Sequence, residues 1–318
     1  MLAVGTGGTN SRAVTIRLVP GVTLARWPEG ASKALEVPNR MNCGCGKLEL
    51  VSHSAYVHGY SERETERLAD QANTLTHLLH HDTSYPPGSR VLECGCGTGA
   101  QTVFLAAGSP DAQIVSVDVS RASLDRARLR VQAAGFRNVT FRVADIFDLP
   151  FENASFDHVF VCFVLEHLAD PTKALRCLAR MLRPGGSLTV IEGDHGSWYC
   201  HPQTVEASRA VQCLIDVQAA LGGDALIGRR LYPLLVEAGF REARVSPRMV
   251  YADSSRPELV EGFSKNTFIA MVEGVREQAL SQGLTDPRSW DKGIADLYRA
   301  TEADGTFCYA FFKGTAVR

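Results

Sequence analysis

Three glycines at alternate positions, Gly95, Gly97 and Gly99, follow a short apolar run and precede a helical pattern within Val91–Ala100. Such an arrangement brings bare backbone close to a ligand. Gly95, Gly97 and Ala100 also fit the dinucleotide spacing G-x-G-x-x-G/A, with Asp118 a little over twenty residues on to take ribose hydroxyls. Glu93 sits two residues before the first glycine, Asp145 follows the third apolar run, and the loop holds no Lys or Arg to pair a phosphate. Three acids at three successive strand ends repel a pyrophosphate. They suit a ligand with a cationic end, a ribose and an exocyclic amine, and S-adenosyl-L-methionine meets all three demands.

These residues need an alternation of short strands and helices to hold them. The apolar runs Val91–Glu93, Ile114–Asp118, Val139–Ala144, His158–Val164 and Ser187–Glu192 read as strands, with helices near Gln101–Ala107, Ser120–Ala134 and Pro171–Leu182 between them. That is the pattern of βαβ units and a parallel sheet. Asp170 and Pro171 fit a helix start, and Arg183–Gly186 reads as a turn. A helical stretch follows over Thr204–Gly239, broken at Gly222 and Gly223. Arg244–Tyr251 and Phe307–Lys313 then read as closing strands, with a helical insertion at about 256–304 between them. Upstream, Tyr56–His81 carries a capping box, Ser61 with Glu64, and Leu68, Ala72, Leu75 and Leu79 at helical spacing. Residues 1–40, with five basic and two acidic residues and no sustained period, read as a disordered extension; 41–88 read as a helical lid and 89–318 as the main domain.

In combination, Val91–Ala100 with Asp118, the stretch Ala144–Phe151, the run Phe156–Leu168 and the segment Leu182–Leu188 resemble the class I S-adenosylmethionine-dependent methyltransferases. The likeness spans roughly Tyr56 to Tyr251. It is similar to the small-molecule branch, which includes ubiquinone and menaquinone methyltransferases and bacterial natural-product enzymes. His58–Glu64 additionally resembles the teleocidin-type C-methyltransferases. The resemblance implies an α/β, Rossmann-like, seven-stranded sheet whose final strand is antiparallel, with an N-terminal helix and helical insertions as a cover. It implies that Gly95, Cys96, Gly97 and Gly99 line the methionine part of the cofactor, with Glu93 steering its ammonium. Asp118, beside Val119, takes the ribose hydroxyls; Asp145 accepts from the adenine amine while Ile146 packs on the ring; and Cys162 contributes its main-chain carbonyl. The long insertion before the last strand departs from the family pattern.

In such sheets ligands lie over the carboxyl ends of the strands, so acceptor contacts are expected from Glu166, His167, His195 and Trp198, with Tyr56, His58 and Tyr60 above them. Methyl transfer is an in-line displacement in which positioning contributes heavily. A base is needed where the nucleophile is protonated or a carbocation must lose a proton. His167 or Glu166 is the expected base, and Tyr60 a lid hydroxyl over the cofactor; ordinary packing is the competing account of each. The segments 204–239 and 256–304 are candidates for a water-excluding cover, and the second also for a homo-oligomer surface.

The remaining chemistry is discounted. Cys43, Cys45, His53 and His58 lack the paired spacing of a structural zinc site, so no metal is expected. A formal net charge of -2, from 33 Lys+Arg and 35 Asp+Glu, argues against phosphate neutralisation along a nucleic acid. The longest apolar run, Val159–Leu165, falls far short of the roughly 20 residues that span a bilayer. Nine cysteines in a chain of this length read as reduced thiols, pointing to the cytoplasm. Two other readings stay open: a nicotinamide-dependent oxidoreductase using Gly95, Gly97 and Ala100, and a binding module that holds cofactor without turnover.

Overall fold

The computed structural model describes residues 74–318. Helix α1 (residues 74–80) precedes β1 (Arg90–Cys94), and then come α2 (Thr102–Gly108), β2 (Gln113–Asp118), α3 (Arg121–Ala133), β3 (Val139–Val143) and β4 (Phe156–Cys162). Helix α4 (Pro171–Met181), β5 (Leu182–Gly193), β6 (Tyr199–His201), α5 (Val205–Ala220), α6 (Leu231–Glu237) and β7 (Arg241–Asp253) follow, and β8 (Thr306–Val317) comes after the insertion. The parallel strands run in the order β3-β2-β1-β4-β5. Strand β8 lies antiparallel between β5 and β7. Among the described residues the sheet has eight strands because β6, three residues long, pairs with the start of β8 on the edge that β5 uses further along. So short a strand leaves no alternation to read from sequence.

Strand side chains alternate between two cores, as a period of two requires. On one face Val91, Ile114, Phe160 and Ile191 pack with Leu75 and Leu79 of α1, Leu105 of α2 and Leu214 of α5. On the other, Leu92, Val117, Val159, Val161 and Val190 meet Leu175 and Leu178 of α4 and Leu231 and Leu235 of α6. A sheet buried on both faces explains why β4 reads as an unbroken apolar run. Helix starts follow local chemistry: Ser120 Oγ accepts from Ser123 N, Asp170 Oδ1 from Lys173 N beside Pro171, and Thr204 Oγ1 from Ala207 N. The expected turn at Arg183–Gly186 is instead looped out within β5, since β4 partners jump from Leu182 to Ser187 while Gly185 takes φ +80°.

The insertion is helical, through Pro257–Leu259, a π-helical run Val260–Ile269, Ala270–Glu273, Arg276–Ser281 and Pro287–Arg299. Its last helix crosses α5 closely at Gly293, where a Cβ would lie 2.5 Å from Glu206 O. Lys313 of β8, 4% exposed, donates to Asp82 Oδ1 at 2.5 Å and Thr83 Oγ1 at 2.6 Å, tying the segment after α1 to the sheet. Arg248 of β7 reaches the same carboxylate. Burial works against the Asp82 charge, but Lys313 and Arg248 hold its pKa down to about 2. Among the described residues no helix is long and apolar enough to cross a membrane.

Candidate functional site

Each of the three loop glycines has its own reason. All adopt left-handed backbone, at φ +73°, +51° and +79° for Gly95, Gly97 and Gly99. A Cβ on Gly95 would overlap the Val164 side chain, and one on Gly99 would stand 2.9 Å from Ala127 Cα. At Gly97 nothing lies within 4 Å. The first and third glycines therefore admit neighbouring protein, whereas Gly97 faces open space. Backbone bonds fix the loop: Gly95 N and Cys96 N donate to Val117 O at 2.8 and 3.1 Å. Gly97 N donates to Asp118 Oδ2 and Ser120 N to Asp118 Oδ1, both at 2.8 Å. Asp118 thus clamps the glycine loop to the turn that starts α3.

The expected acids all stand at strand ends, but in different states. Glu93 is 2% exposed, and its Oε2 accepts from Ser116 Oγ at 2.6 Å and Thr102 Oγ1 at 2.8 Å. Burial pushes its pKa up to about 7 against those two hydroxyls, and the Asp118 charge adds to the rise. The carboxylate is therefore turned into the sheet as well as toward the loop. Burial also raises Asp118, countered by the Ser120 and Gly97 N–H groups. Asp145 Oδ1 accepts from Phe147 N at 2.9 Å, Ile146 beside it is buried, and Val119 is exposed. Cys96 and Cys162 are buried free thiols, like all seven described cysteines. An open glycine backbone amid carboxylates, with no Lys or Arg in the loop, fits a ligand carrying an ammonium, a ribose and an aromatic amine.

A second cluster forms where β4 and β5 end. After Cys162 the chain reverses through Phe163, a non-glycine residue at φ +58°, which is strained backbone of the kind that gathers at functional sites. Glu192 of β5, fully buried, secures the reversal: its Oε1 accepts from Val164 N at 3.1 Å and Leu165 N at 2.8 Å. Burial and then the neighbouring Glu166 charge push the Glu192 carboxyl well above its usual range. In the single turn Leu165–His167, Glu166 Oε1 lies 3.6 Å from His167 Nε2, and Glu166 Oε2 lies 3.7 Å from His195 Nε2. Gln218 of α5 donates to Glu166 Oε2 at 3.1 Å, and His195 Nδ1 is 2.7 Å from the Tyr309 hydroxyl.

Glu166 and His195 are 8% and 4% exposed, whereas the His167 side chain keeps 17% of its surface. Asp194 is bound bidentately by Arg229, at 2.6 and 2.8 Å. The Trp198 ring lies 6.0 Å from Phe268 and 6.4 Å from Phe307, in an aromatic group that includes Phe263 and Tyr309.

Glu166, His167 and His195 thus come together as expected from sequence, around one carboxylate. Gln218 and Tyr309 were not legible as members: each sits in a run that reads as helix or strand core, far along the chain from Glu166 and His195. Tyr56, His58 and Tyr60, with Cys43, Cys45 and His53, lie outside the described residues.

The family described as Methyltransferase domain matches residues 92–190, from β1 into β5. An O-methyltransferase of Aspergillus sclerotiorum is 31% identical over 59% of this chain and 68% of its own. The 27-O-demethylrifamycin SV methyltransferase of Amycolatopsis mediterranei is 29% identical over 70% of this chain and 76% of its own. The chain spans 45% to 62% of the length of three further curated relatives it matches. Among solved structures, the fold matches a phosphoethanolamine N-methyltransferase of Haemonchus contortus at 19% identity and a TM-score of 0.50, over 80% of this chain and 58% of that one. The chain belongs to the class I S-adenosylmethionine-dependent methyltransferases.

Proposed function

We propose that the protein methylates a small organic acceptor bound over the ends of β4 and β5, with Glu166 and His167 as the pair that accepts the proton the acceptor loses. The observation that carries this reading is one buried carboxylate flanked by two imidazoles, next to the loop whose roof is Val164. Gly95, Cys96, Gly97 and Gly99 with Glu93 would hold the methionine part of the cofactor, Asp118 with Val119 the ribose, Asp145 and Ile146 the adenine, and Cys162 a main-chain contact. Bound there, S-adenosylmethionine supplies an electrophilic methyl group.

The chain's own residues do the rest. The acceptor gains methyl and loses a proton to the His167 imidazole; Glu166 offsets the resulting charge, so the base and its counter-ion form one unit. His195, buried and turned toward Tyr309 and Glu166, supports that unit from behind rather than touching the acceptor. The segments 204–239 and 256–304 form the cover that keeps water from the site. Seven buried thiols accord with a reducing compartment, and we place the protein in the cytoplasm.

The two O-methyltransferases among the relatives favour an acceptor methylated on a hydroxyl oxygen; transfer to carbon or nitrogen uses the same pair. Calorimetry against S-adenosylhomocysteine and reduced nicotinamide cofactors, followed by label transfer from methyl-labelled S-adenosylmethionine to a panel of phenols, quinols and prenylated compounds, tests the reading. Homocysteine-analogue binding with label transfer supports it. Nicotinamide binding alone would overturn it, as would full turnover by His167→Ala.

A further inference from the structure

We infer that Glu192 is a positioning residue for methyl transfer, holding the turn that carries Glu166 and His167 by the main-chain N–H groups at its start; this rests on those two being the proton-accepting pair. The last main-chain bond between β4 and β5 at this end is Phe163 N donating to Ile191 O at 2.9 Å. Phe163 then turns to φ +58°, and the next two N–H groups go to a side chain instead. Val164 N at 3.1 Å and Leu165 N at 2.8 Å both donate to Glu192 Oε1. Leu165 is fully buried, so water is no substitute for that acceptor. No side chain of the turn caps it either. A lone turn with bonds of its own only from His167 N to Val164 O and Leu168 N to Leu165 O, both 3.1 Å, does not hold its shape unaided. Its far end is tied to α5 and the loop beyond, where Gln218 Nε2 and Asp224 N donate to Glu166 O at 3.2 and 2.8 Å. Glu192 fixes the near end.

The same carboxyl joins the two halves of the site. Val164, held by its N–H, is the residue whose side chain a Cβ on Gly95 would overlap, so the glycine loop and the turn meet at this one residue. Releasing Val164 and Leu165 shifts Glu166 and His167 relative to the loop, and in-line transfer is sensitive to displacements of that kind. Glu192 does this as an acceptor and not as a second base. Its side chain has no exposed surface, and Oε2 finds no hydrogen-bond partner among the described residues. Burial and the Glu166 charge both favour its neutral form. Because Oε1 accepts twice, the proton of that form belongs on Oε2, and Oε1 acts as a carbonyl. Glutamine offers the same carbonyl in the same shape. Leucine keeps the bulk and removes the acceptor.

Amide hydrogen exchange of the S-adenosylhomocysteine-bound protein reads the turn directly. The Val164 and Leu165 N–H groups are expected to be protected in the parent and in Glu192→Gln, and to exchange more than about 10-fold faster in Glu192→Leu. On any acceptor that takes label, Glu192→Leu is expected to lower kcat by about 10- to 100-fold, with KM and S-adenosylhomocysteine affinity little changed, and Glu192→Gln to recover most of the loss. Added to His167→Ala, Glu192→Leu is expected to lower the residual kcat by less than about 2-fold, since two residues acting through one turn do not add. Freely exchanging Val164 and Leu165 amides in the parent overturn the inference without any variant. So do a Glu192→Leu protein with parental kcat, a Glu192→Gln protein as slow as Glu192→Leu, and a loss of the same size with and without His167. Full turnover by His167→Ala would instead overturn the proposed base pair, and the exchange result would still show whether Glu192 holds the turn.

Discussion

Replacing Gly97 by alanine separates what the loop does for the fold from what it does for the cofactor. Gly97 has φ +51°, close to the ideal left-handed value, and nothing within 4 Å of the position a methyl would take. The folded protein then bears only the conformational penalty of a non-glycine residue there, about 1 kcal/mol. For a unit of this size that is a fall in Tm of about 2–4 °C. Gly135 provides the control, because at φ +81°, with nothing within 4 Å and beyond the end of α3, it carries a comparable strain away from the site.

Both alanine variants are expected to lose similar stability, but only Gly97→Ala fills the space where the methionine portion must approach the backbone. Its S-adenosylhomocysteine affinity is expected to drop by more than about 10-fold, equivalent to about 1.4 kcal/mol, while Gly135→Ala binds as the parent does. Paired melting curves and calorimetry give both numbers. If Gly97→Ala bound S-adenosylhomocysteine with parental affinity, the glycine would be a turn device only, and the placement of the cofactor would be wrong.

Further perturbations probe the buried charges. Glu93, with a folded pKa of about 7 against an ordinary 4.5, binds its proton more tightly folded than unfolded; stability therefore falls as pH rises from about 4.5 to about 7 and is level above, by about 3 kcal/mol in all. Glu93→Gln is expected to flatten that slope in urea unfolding at pH 5 and pH 8, and an unchanged slope would reject the assignment. Asp118→Asn offers one oxygen to the two N–H groups of Gly97 and Ser120, so it should cost about 1–3 kcal/mol by urea unfolding and weaken cofactor binding together. Asp82→Ala strands the buried Lys313 ammonium and is expected to destabilise by about 3 kcal/mol, whereas Lys313→Met should stay within about 1 kcal/mol of the parent; equal losses would contradict the burial argument.

How far the sequence reached depends on how local each feature is. The glycine loop, Asp118 and the β4 and β5 runs lie in contiguous motifs whose spacing is dictated by backbone conformation, and they stand where the residues implied. Glu166 and His167 are adjacent in sequence and fall on one turn for the same reason. Gln218 and Tyr309 come from an amphipathic helix and a core strand, where a lone polar residue among apolar neighbours carries no sign of its partner. Nor does the sequence show the phenol behind the His195 ring, because Gly193 makes room for it and Tyr309 comes from a strand over a hundred residues away. The short β6 and the π-helical run escaped for a different reason: neither has a periodicity long enough to register.

Strand β8 bears on how the chain acquires its structure. It occupies the place between β5 and β7, yet it is made after both. Until residues 306–317 leave the ribosome, β5 presents an unpaired edge and β7 has no strand to pair with. The nascent protein is therefore most prone to mispairing and aggregation late in synthesis. A break in that one strand would separate β6 and β7 from the five parallel strands.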